Sequence, residues 1–101
     1  SITMIPFCVG IDSPDGSVID DAIIDAIDIG ARVIQLSLNV GETNAINAAI
    51  EYAIQNNAVI ICASGNDYSS TVSYPASHQN VIAVGATNKS NVRADFSNYG
   101  T

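Results

Sequence analysis

The chain has 101 residues, of which 48% are hydrophobic, and its formal net charge at pH 7 is −7. This length and composition fit one small globular domain or a piece of a larger one. Only three residues are basic, which is too few for a surface that binds nucleic acid or anionic membranes, and no apolar stretch reaches the roughly 18 residues of a membrane span. The first residues lack the basic region of a signal peptide. We therefore predict no nucleic-acid partner, no membrane partner and no signal peptide.

The first third of the chain predicts a strand followed by a helix. Residues 2–9, ITMIPFCV, have the apolar character of a strand, although Pro6 indicates an interruption or an edge position. The next segment carries isoleucine at every fourth position, namely Ile19, Ile23 and Ile27. This spacing places the apolar side chains on one face of a helix. We expect Ser17 to be its N-cap and Gly30 its C-cap.

The rest of the chain continues the alternation of strands and helices. The predicted elements are a strand at 32–38, a helix at 44–57, and strands at 58–63 and 81–87. Thr43 or Asn44 suits the start of this helix, and Asn57 suits a left-handed residue at its end. The run AVIICA at 58–63 is nearly all apolar, which is typical of a strand buried on both faces. The pattern predicts an α/β fold with a parallel, doubly wound, Rossmann-like sheet and flanking helices.

The two cysteines, Cys8 and Cys62, both lie within predicted apolar strands. We interpret them as buried, unreactive thiols, since two cysteines are too few for a disulfide framework. Free thiols weakly favour a reducing, intracellular compartment, and the sequence otherwise leaves the localisation open. The loop acids Asp12 and Asp15 lack the alternating ligand spacing of a calcium loop, so we predict no metal site there.

Polar residues follow two of the predicted strands at their carboxyl ends. Ser37 and Asn39 follow the second strand, and Asn66 follows the third after a glycine. In parallel sheets this edge is where ligands and catalytic groups collect. A rigidly held asparagine amide can stabilise an oxyanion on a substrate carbonyl. The alternative is that Asn66 forms an ordinary Asx turn, which the local sequence alone favours.

Five segments follow one another in a distinctive order, namely VIQLSLN at 33–39, ASGN at 63–66, SYPA at 73–76, VIAVGA at 81–86 and RADFSNYG at 93–100. Together they resemble the central part of the catalytic domain of the subtilisin-like serine proteases, or subtilases. The resemblance covers nearly the whole chain and is most specific from Val33 to Gly100. It implies a subtilisin-type fold, with residues 1–101 as a central fragment of a peptidase domain.

The resemblance also implies roles for individual residues. Asn66 is similar to the oxyanion-hole asparagine of the family. The residues that correspond to the two backbone walls around the substrate are Ser37, Leu38 and Asn39 on one side and Ala63, Ser64 and Gly65 on the other. The loop from Ser13 to Asp15 corresponds to a partner strand for the bound peptide. The bond between Tyr74 and Pro75 corresponds to a cis peptide.

Some features depart from the family pattern. Asn39 stands where the family has glycine, and Pro14 and Asp15 replace a glycine-rich stretch. An acidic rim that includes Asp15 predicts a preference for basic residues in the peptide. The single histidine, His78, does not match the histidine of the catalytic triad, and we interpret it as a surface loop residue. The family motifs that contain the triad Asp, His and Ser do not occur among these residues, so we expect no catalysis by the chain alone.

The resemblance implies a function for the chain within a larger domain. We predict part of a subtilisin-like serine endopeptidase domain, with a peptide or protein substrate, the remaining parts of that domain as partners, and no cofactor. Some family members bind a weak cation near the carbonyls of Ala76, His78 and Val81, and the equivalent site here is a weak expectation. Two alternatives stay open, namely a macrocyclising subtilase and a degenerate, non-catalytic module that binds peptides or serves as a scaffold.

Overall fold

The alternating apolar segments fold into helices and a parallel sheet in the computed structural model, which describes residues 1–100. In chain order the elements are α1 Gly16–Asp28, β1 Val33–Leu36, α2 Asn44–Gln55, β2 Val59–Ala63 and β3 Ile82–Val84. Within the described residues the sheet has the strand order β1-β2-β3, and both pairs are parallel. The predicted α/β fold with a parallel sheet and flanking helices is confirmed.

The N-cap of helix α1 lies two residues before the predicted one. Asp15 is the N-cap, because its Oδ1 accepts hydrogen bonds from the Ser17 N–H at 2.9 Å and from the Ser17 hydroxyl at 2.6 Å. The expectation that Ser17 caps the helix is therefore wrong, and Ser17 is instead the donor to the cap. At the other end Ile29 is the cap residue and Gly30 follows with φ +98°. Glycine ends the helix as predicted, one position later than a strict cap.

Helix α2 has the caps that its sequence allows. Thr43 is the N-cap, and its hydroxyl accepts a hydrogen bond from the Ile46 N–H at 3.1 Å. Asn57 follows the helix with φ +61°, in the predicted left-handed conformation. The buried side chains of α2 are Ile46, Ala49, Ile50 and Ala53. Each fully buried isoleucine contributes about 1.5–3 kcal/mol relative to an exposed one, so this stripe is a main source of stability.

The core lies between the two helices and one face of the sheet. From the strands, Ile34, Ile60 and Cys62 join the buried side chains of both helices. On the opposite face the side chains of Val59 and Ile82 are 41% and 53% exposed. The prediction that β2 is buried on both faces is thus wrong for the described residues. Successive side chains of a strand point to opposite faces, and both helices cover the same one.

Residues 2–9 do not form the predicted first strand. A strand requires a neighbour that exchanges backbone hydrogen bonds with it, and within residues 1–100 no strand pairs with this segment. Ile2 and Met4 are accordingly 92% and 88% exposed. The segment ends where the Val9 carbonyl accepts a hydrogen bond from the Asp15 N–H at 2.7 Å. This contact connects it to the start of α1.

The two cysteines have different environments. Cys8 is exposed because its segment lies outside the sheet, which corrects the prediction that both thiols are buried. Cys62 is buried in β2, and this burial raises the pKa of its thiol to about 12. Cys62 is therefore an unreactive core residue, as predicted.

Neither α1 nor α2 reaches the length and apolar character that crossing a bilayer demands, and the same holds for every helix within residues 1–100.

The Asp15 cap predicts a pH dependence of stability. Hydrogen bonds from the Ser17 hydroxyl, and next from its N–H, lower the pKa of the Asp15 carboxyl from its ordinary value of 3.8. A carboxyl group with a lowered folded-state pKa adds stability above its unfolded-state pKa and loses that contribution as the pH falls through the folded-state value. We expect the stability difference between the wild type and Asp15→Asn to shrink with falling pH below about 3.8, measured by urea denaturation.

The matched control for this experiment is Asp21→Asn. Asp21 is an exposed carboxylate on the same helix, and it does not cap the helix. The two variants change the net charge equally, so their comparison isolates the effect of a carboxylate charge at the cap position. An equal pH dependence for both variants would contradict the role of Asp15.

Candidate functional site

The carboxyl ends of the three strands meet at an open depression of about 390 Å³. Five of the predicted site residues line it, namely Ser37, Ala63, Ser64, Gly65 and Asn66. The other lining residues are Gln35, Ile61, Cys62, Val84, Gly85, Ala86 and Ser97. Parallel pairing explains this grouping, because it ends neighbouring strands at the same edge of the sheet. The depression also extends over part of the sheet face that the helices leave uncovered.

Four predicted site residues lie outside this depression. Leu38 and Asn39 continue the chain beyond Ser37 toward α2, while Ser13 and Asp15 lie in the loop before α1. The Asp15 carboxylate is occupied as the helix cap. The structure therefore brings together the segment from Ala63 to Asn66 with Ser37.

The Asn66 side chain is exposed and free of hydrogen bonds to residues 1–100. The residue before it, Gly65, has φ +111°. The backbone N–H groups of Asp67 and Ser69 donate to the side chain of Asn98 and not to Asn66. Asn66 therefore does not form the Asx turn that was the alternative interpretation. Its amide group is available to a ligand at the rim of the depression.

The lining of the depression carries no charged side chain among the described residues. Asp15, on which the predicted acidic rim depended, lies elsewhere and caps α1. The expected preference for basic residues in a peptide therefore finds no support in this depression. An uncharged and partly apolar lining suits contacts with a peptide backbone and with apolar or small polar side chains.

The segment after the Asn66 loop is held against α2. The peptide bond between Tyr74 and Pro75 is cis, as predicted. The Tyr74 hydroxyl donates to Asn47 Oδ1 at 2.8 Å, and the Val40 N–H donates to the Tyr74 carbonyl at 3.1 Å. Burial, followed by the nearby charge of Glu42, raises the pKa of Tyr74 to about 12. Tyr74 therefore stays neutral and structural.

His78 lies on the loop between β2 and β3, away from the depression. Its Nδ1 accepts a hydrogen bond from the Asn80 N–H at 3.1 Å, and its Nε2 lies 3.6 Å from Glu51 Oε1 on α2. Its carbonyl, one of the three suggested for a weak cation, accepts a hydrogen bond from the Val81 N–H at 3.0 Å. Within residues 1–100 no three His, Cys, Asp or Glu side chains come together as a metal site. The suggested cation site near Ala76 stays a prediction.

Sequence reasoning missed two residues of this region, Ser97 and Asn98. Ser97 lines the depression, and its hydroxyl accepts a hydrogen bond from the Ala86 N–H at 3.0 Å. Asn98 contacts the Asn66 loop through its side chain and its backbone. Both belong to the RADFSNYG segment that carries the resemblance, but polar residues in a polar tail give no local signal that they are buried.

Comparisons with known proteins extend these observations. The family model described as "Subtilase family" matches residues 3–101. A thermophilic serine proteinase of Bacillus sp. (strain AK1) is 50% identical over 84 residues, which are 82% of this chain and 21% of that protein. The chain therefore spans about a fifth of the length of this relative.

Solved structures give the same result for the fold. The structure of the prenylagaramide maturation protease PagA matches with a TM-score of 0.83 and 30% identity, over 94% of this chain and 36% of that one. The PatG macrocyclase in complex with peptide matches with a TM-score of 0.73 and 30% identity, over 80% of this chain and 25% of that one. The predicted type of fold is therefore confirmed by structure as well as by sequence.

The environment of Gly65 generates a test of the loop. A Cβ atom on Gly65 would overlap Nδ2 of Asn98 and lie 2.5 Å from the Ser73 hydroxyl. The left-handed backbone alone costs an alanine about 1–3 kcal/mol, and the overlap adds to this cost. We expect Gly65→Ala to lower the free energy of unfolding by roughly 4 kcal/mol or more, measured by urea denaturation.

Gly30→Ala is the matched control. Gly30 also has a positive φ, of +98°, but nothing lies within 4 Å of the position of its Cβ. It should show only the backbone cost, about 1–3 kcal/mol. If both variants lose the same stability, the close packing of Gly65 against Asn98 is not a constraint.

Proposed function

Because this chain belongs to the subtilase family, we propose that it forms the central part of a subtilisin-like serine endopeptidase domain. In this proposal residues 1–101 supply the oxyanion donor and part of the substrate-binding surface for peptide-bond hydrolysis. The observation that carries the proposal is the unbonded amide of Asn66 at the rim of the depression. The residues that act as nucleophile and base lie outside these 101.

Asn66 acts on the charge that develops during the reaction. A serine hydroxyl attacks the carbonyl carbon of the substrate, a histidine takes the hydroxyl proton, and the carbonyl oxygen becomes an oxyanion. The side-chain N–H of Asn66 donates a hydrogen bond to this oxygen. Since the amide has no partner among the described residues, no hydrogen bond to another residue of that part of the chain has to break when the oxyanion forms. A donor fixed in advance is the arrangement that stabilises such a charge best.

The substrate peptide binds between two backbone segments in this proposal. One is formed by Ser37, Leu38 and Asn39, and the other by Ala63, Ser64 and Gly65. An extended peptide adds beside such a segment as a further strand. The second segment lines the depression beside Asn66, so it faces the residue next to the scissile bond. The uncharged lining supports the binding of a peptide by its backbone.

The loop from Ser13 to Asp15 has a narrower role than its position in the sequence suggests. The Asp15 carboxylate caps α1, and its N–H donates to the Val9 carbonyl at 2.7 Å. The groups of this loop that remain for a peptide are the backbone groups and the hydroxyl of Ser13 and the carbonyl of Pro14. We propose that these, and not the charge of Asp15, meet the substrate.

A macrocyclising subtilase is the second candidate function. The observation that favours it is the similarity to the PatG macrocyclase in complex with peptide. The two reactions share attack by serine and differ in the group that accepts the acyl chain. Mass spectrometry of the products separates them, because hydrolysis adds a water molecule to the cleaved peptide and transfer to an amine does not.

Reaction with a fluorophosphonate probe tests where the nucleophile lies. We expect no labelling of the 101-residue chain, because none of its residues matches the family nucleophile, and labelling of the complete domain. Labelling of the short chain would overturn the statement that the nucleophile lies outside it. A complete domain that folds but is not labelled would favour the non-catalytic peptide-binding or scaffold module.

Substitution of Asn66 in the complete domain tests the oxyanion role. We expect Asn66→Ala to lower kcat by roughly 10²–10³, the magnitude already known for loss of this donor in a subtilisin, with little change in KM. Asn66→Asp keeps the size but removes the donor and adds negative charge, so its kcat should be at least as low. An unchanged kcat in either variant would contradict the proposal.

A further inference from the structure

Asn98 is a buried polar residue whose side chain forms hydrogen bonds with the segment from Ser64 to Ser73. It is 3% exposed. Its Oδ1 accepts hydrogen bonds from the backbone N–H groups of Asp67 at 2.8 Å and Ser69 at 3.0 Å. Its Nδ2 donates to the Ser64 carbonyl at 3.2 Å and to the Ser73 hydroxyl at 3.0 Å. The amide thus uses both of its donor hydrogens and accepts twice, which is its full capacity.

The backbone of Asn98 binds the same segment. Its N–H donates to the Gly65 carbonyl at 3.0 Å, and its carbonyl accepts a hydrogen bond from the Ser64 hydroxyl at 3.3 Å. The contacts therefore reach Ser64 and Gly65 before Asn66, and Asp67 and Ser69 after it. Asn98 fixes the chain on both sides of Asn66 and leaves the Asn66 amide free.

A second set of contacts holds Asn98 itself in place. The Arg93 guanidinium lies 4.2 Å from the centre of the Tyr99 ring and 5.1 Å from that of Tyr68. It also donates to the Ser97 carbonyl at 2.9 Å. The Tyr68 N–H donates to the Phe96 carbonyl at 3.0 Å. The segments 96–99 and 65–69 are therefore joined on either side of Asn98. These contacts do not use the Asn98 side chain, so they still hold the two segments together when that side chain is replaced.

Asn66 needs such support because its own turn provides none. A hydrogen-bond donor lowers the reaction barrier only if it is held pointing at the oxygen on which charge develops. A misplacement of about 1 Å costs roughly 10² in rate. Within the described residues the Asn66 side chain makes no hydrogen bond that would orient it. We propose that Asn98 is a positioning residue that holds the Asn66 turn in its catalytic orientation. This inference rests on the proposed oxyanion role of Asn66.

A double-mutant cycle in the complete peptidase domain tests this role. The four proteins are the wild type, Asn66→Ala, Asn98→Ala and the double variant, and kcat is measured for each. If Asn98 acts through Asn66, Asn98→Ala lowers kcat by roughly 10–10² in the wild type and by less than about threefold in the Asn66→Ala background. A role in folding alone would lower kcat by the same factor in both backgrounds, which would overturn the inference.

Asn88→Ala is the matched control. The Asn88 Oδ1 also accepts two backbone hydrogen bonds, from the Ser90 N–H at 2.8 Å and the Val92 N–H at 3.2 Å, in a loop that does not line the depression. The chemical change equals that of Asn98→Ala. We expect Asn88→Ala to leave kcat unchanged in both backgrounds. A dependence on Asn66 as strong as that of Asn98→Ala would show that the coupling is not specific to Asn98, and would overturn the inference.

Asn98→Asp serves if the alanine variant does not fold. It keeps the acceptor for Asp67 and Ser69 and removes the donors to Ser64 and Ser73. The factor by which Asn98→Asp lowers kcat should be at least threefold smaller in the Asn66→Ala background than in the wild type. Equal factors in both backgrounds would overturn the inference. Ser73→Ala, which removes one acceptor of the Asn98 amide, applies the same test with a smaller change.

The cycle separates this inference from the proposed function. If Asn66→Ala leaves kcat unchanged, the oxyanion role fails and the positioning role fails with it. If Asn66→Ala lowers kcat but the two substitutions act independently, the oxyanion role holds and only the role of Asn98 is overturned.

Discussion

The packing of α2 against β2 is the interaction on which the rest of the structure depends. Ile46 and Ile50 of the helix and Ile60 of the strand are completely buried, and α2 is the connection between β1 and β2. A helix that crosses over one face of a sheet brings the next strand back parallel to the first. The two strands therefore end at the same edge. The depression beside Ser37 and Asn66 follows from that packing, although neither residue takes part in it.

At this edge the hydrogen bonds change from a regular ladder to a network of individual side chains. The Ser64 N–H still bonds to the Val84 carbonyl in the manner of the sheet. From Gly65 onward the backbone groups are bound by Asn98 and by their neighbours in the last segment of the chain. Buried backbone groups must find partners, and a loop that leaves its own amide free for a ligand has to take those partners from elsewhere. The unbonded state of Asn66 and the fully bonded state of Asn98 are thus two parts of one arrangement.

The sequence was sufficient for the features that depend on neighbouring residues. The cap of α2, for which Thr43 and Asn44 both qualified, and the left-handed Asn57 follow from local chemistry. The structure has Thr43 as the cap and Asn57 with a positive φ. The prediction of the start of α1 was less accurate. Asp15 and Ser17 both suit an N-cap, and only the geometry shows that Ser17 donates to the Asp15 carboxylate. The order of motifs indicated the family and so identified Asn66, whose local sequence alone favours a turn. Features that depend on distant partners could not be predicted, since no local pattern distinguishes Asn98, 31 residues from Asp67, from other asparagines.

The failed strand at residues 2–9 and the exposed face of β2 have a common cause. An apolar run indicates that a segment is buried in the folded protein. Whether it is buried, and on which face, depends on the other segments that pack against it. Ile60 and Ile61 are adjacent and chemically identical, yet one is completely buried by the helices and the other lines the depression. Ile60 thus contributes to the core, while Ile61, on the opposite face of the same strand, lies beside the site. Because both faces share one backbone, the well-packed helical face also holds the opposite face of the strand in place.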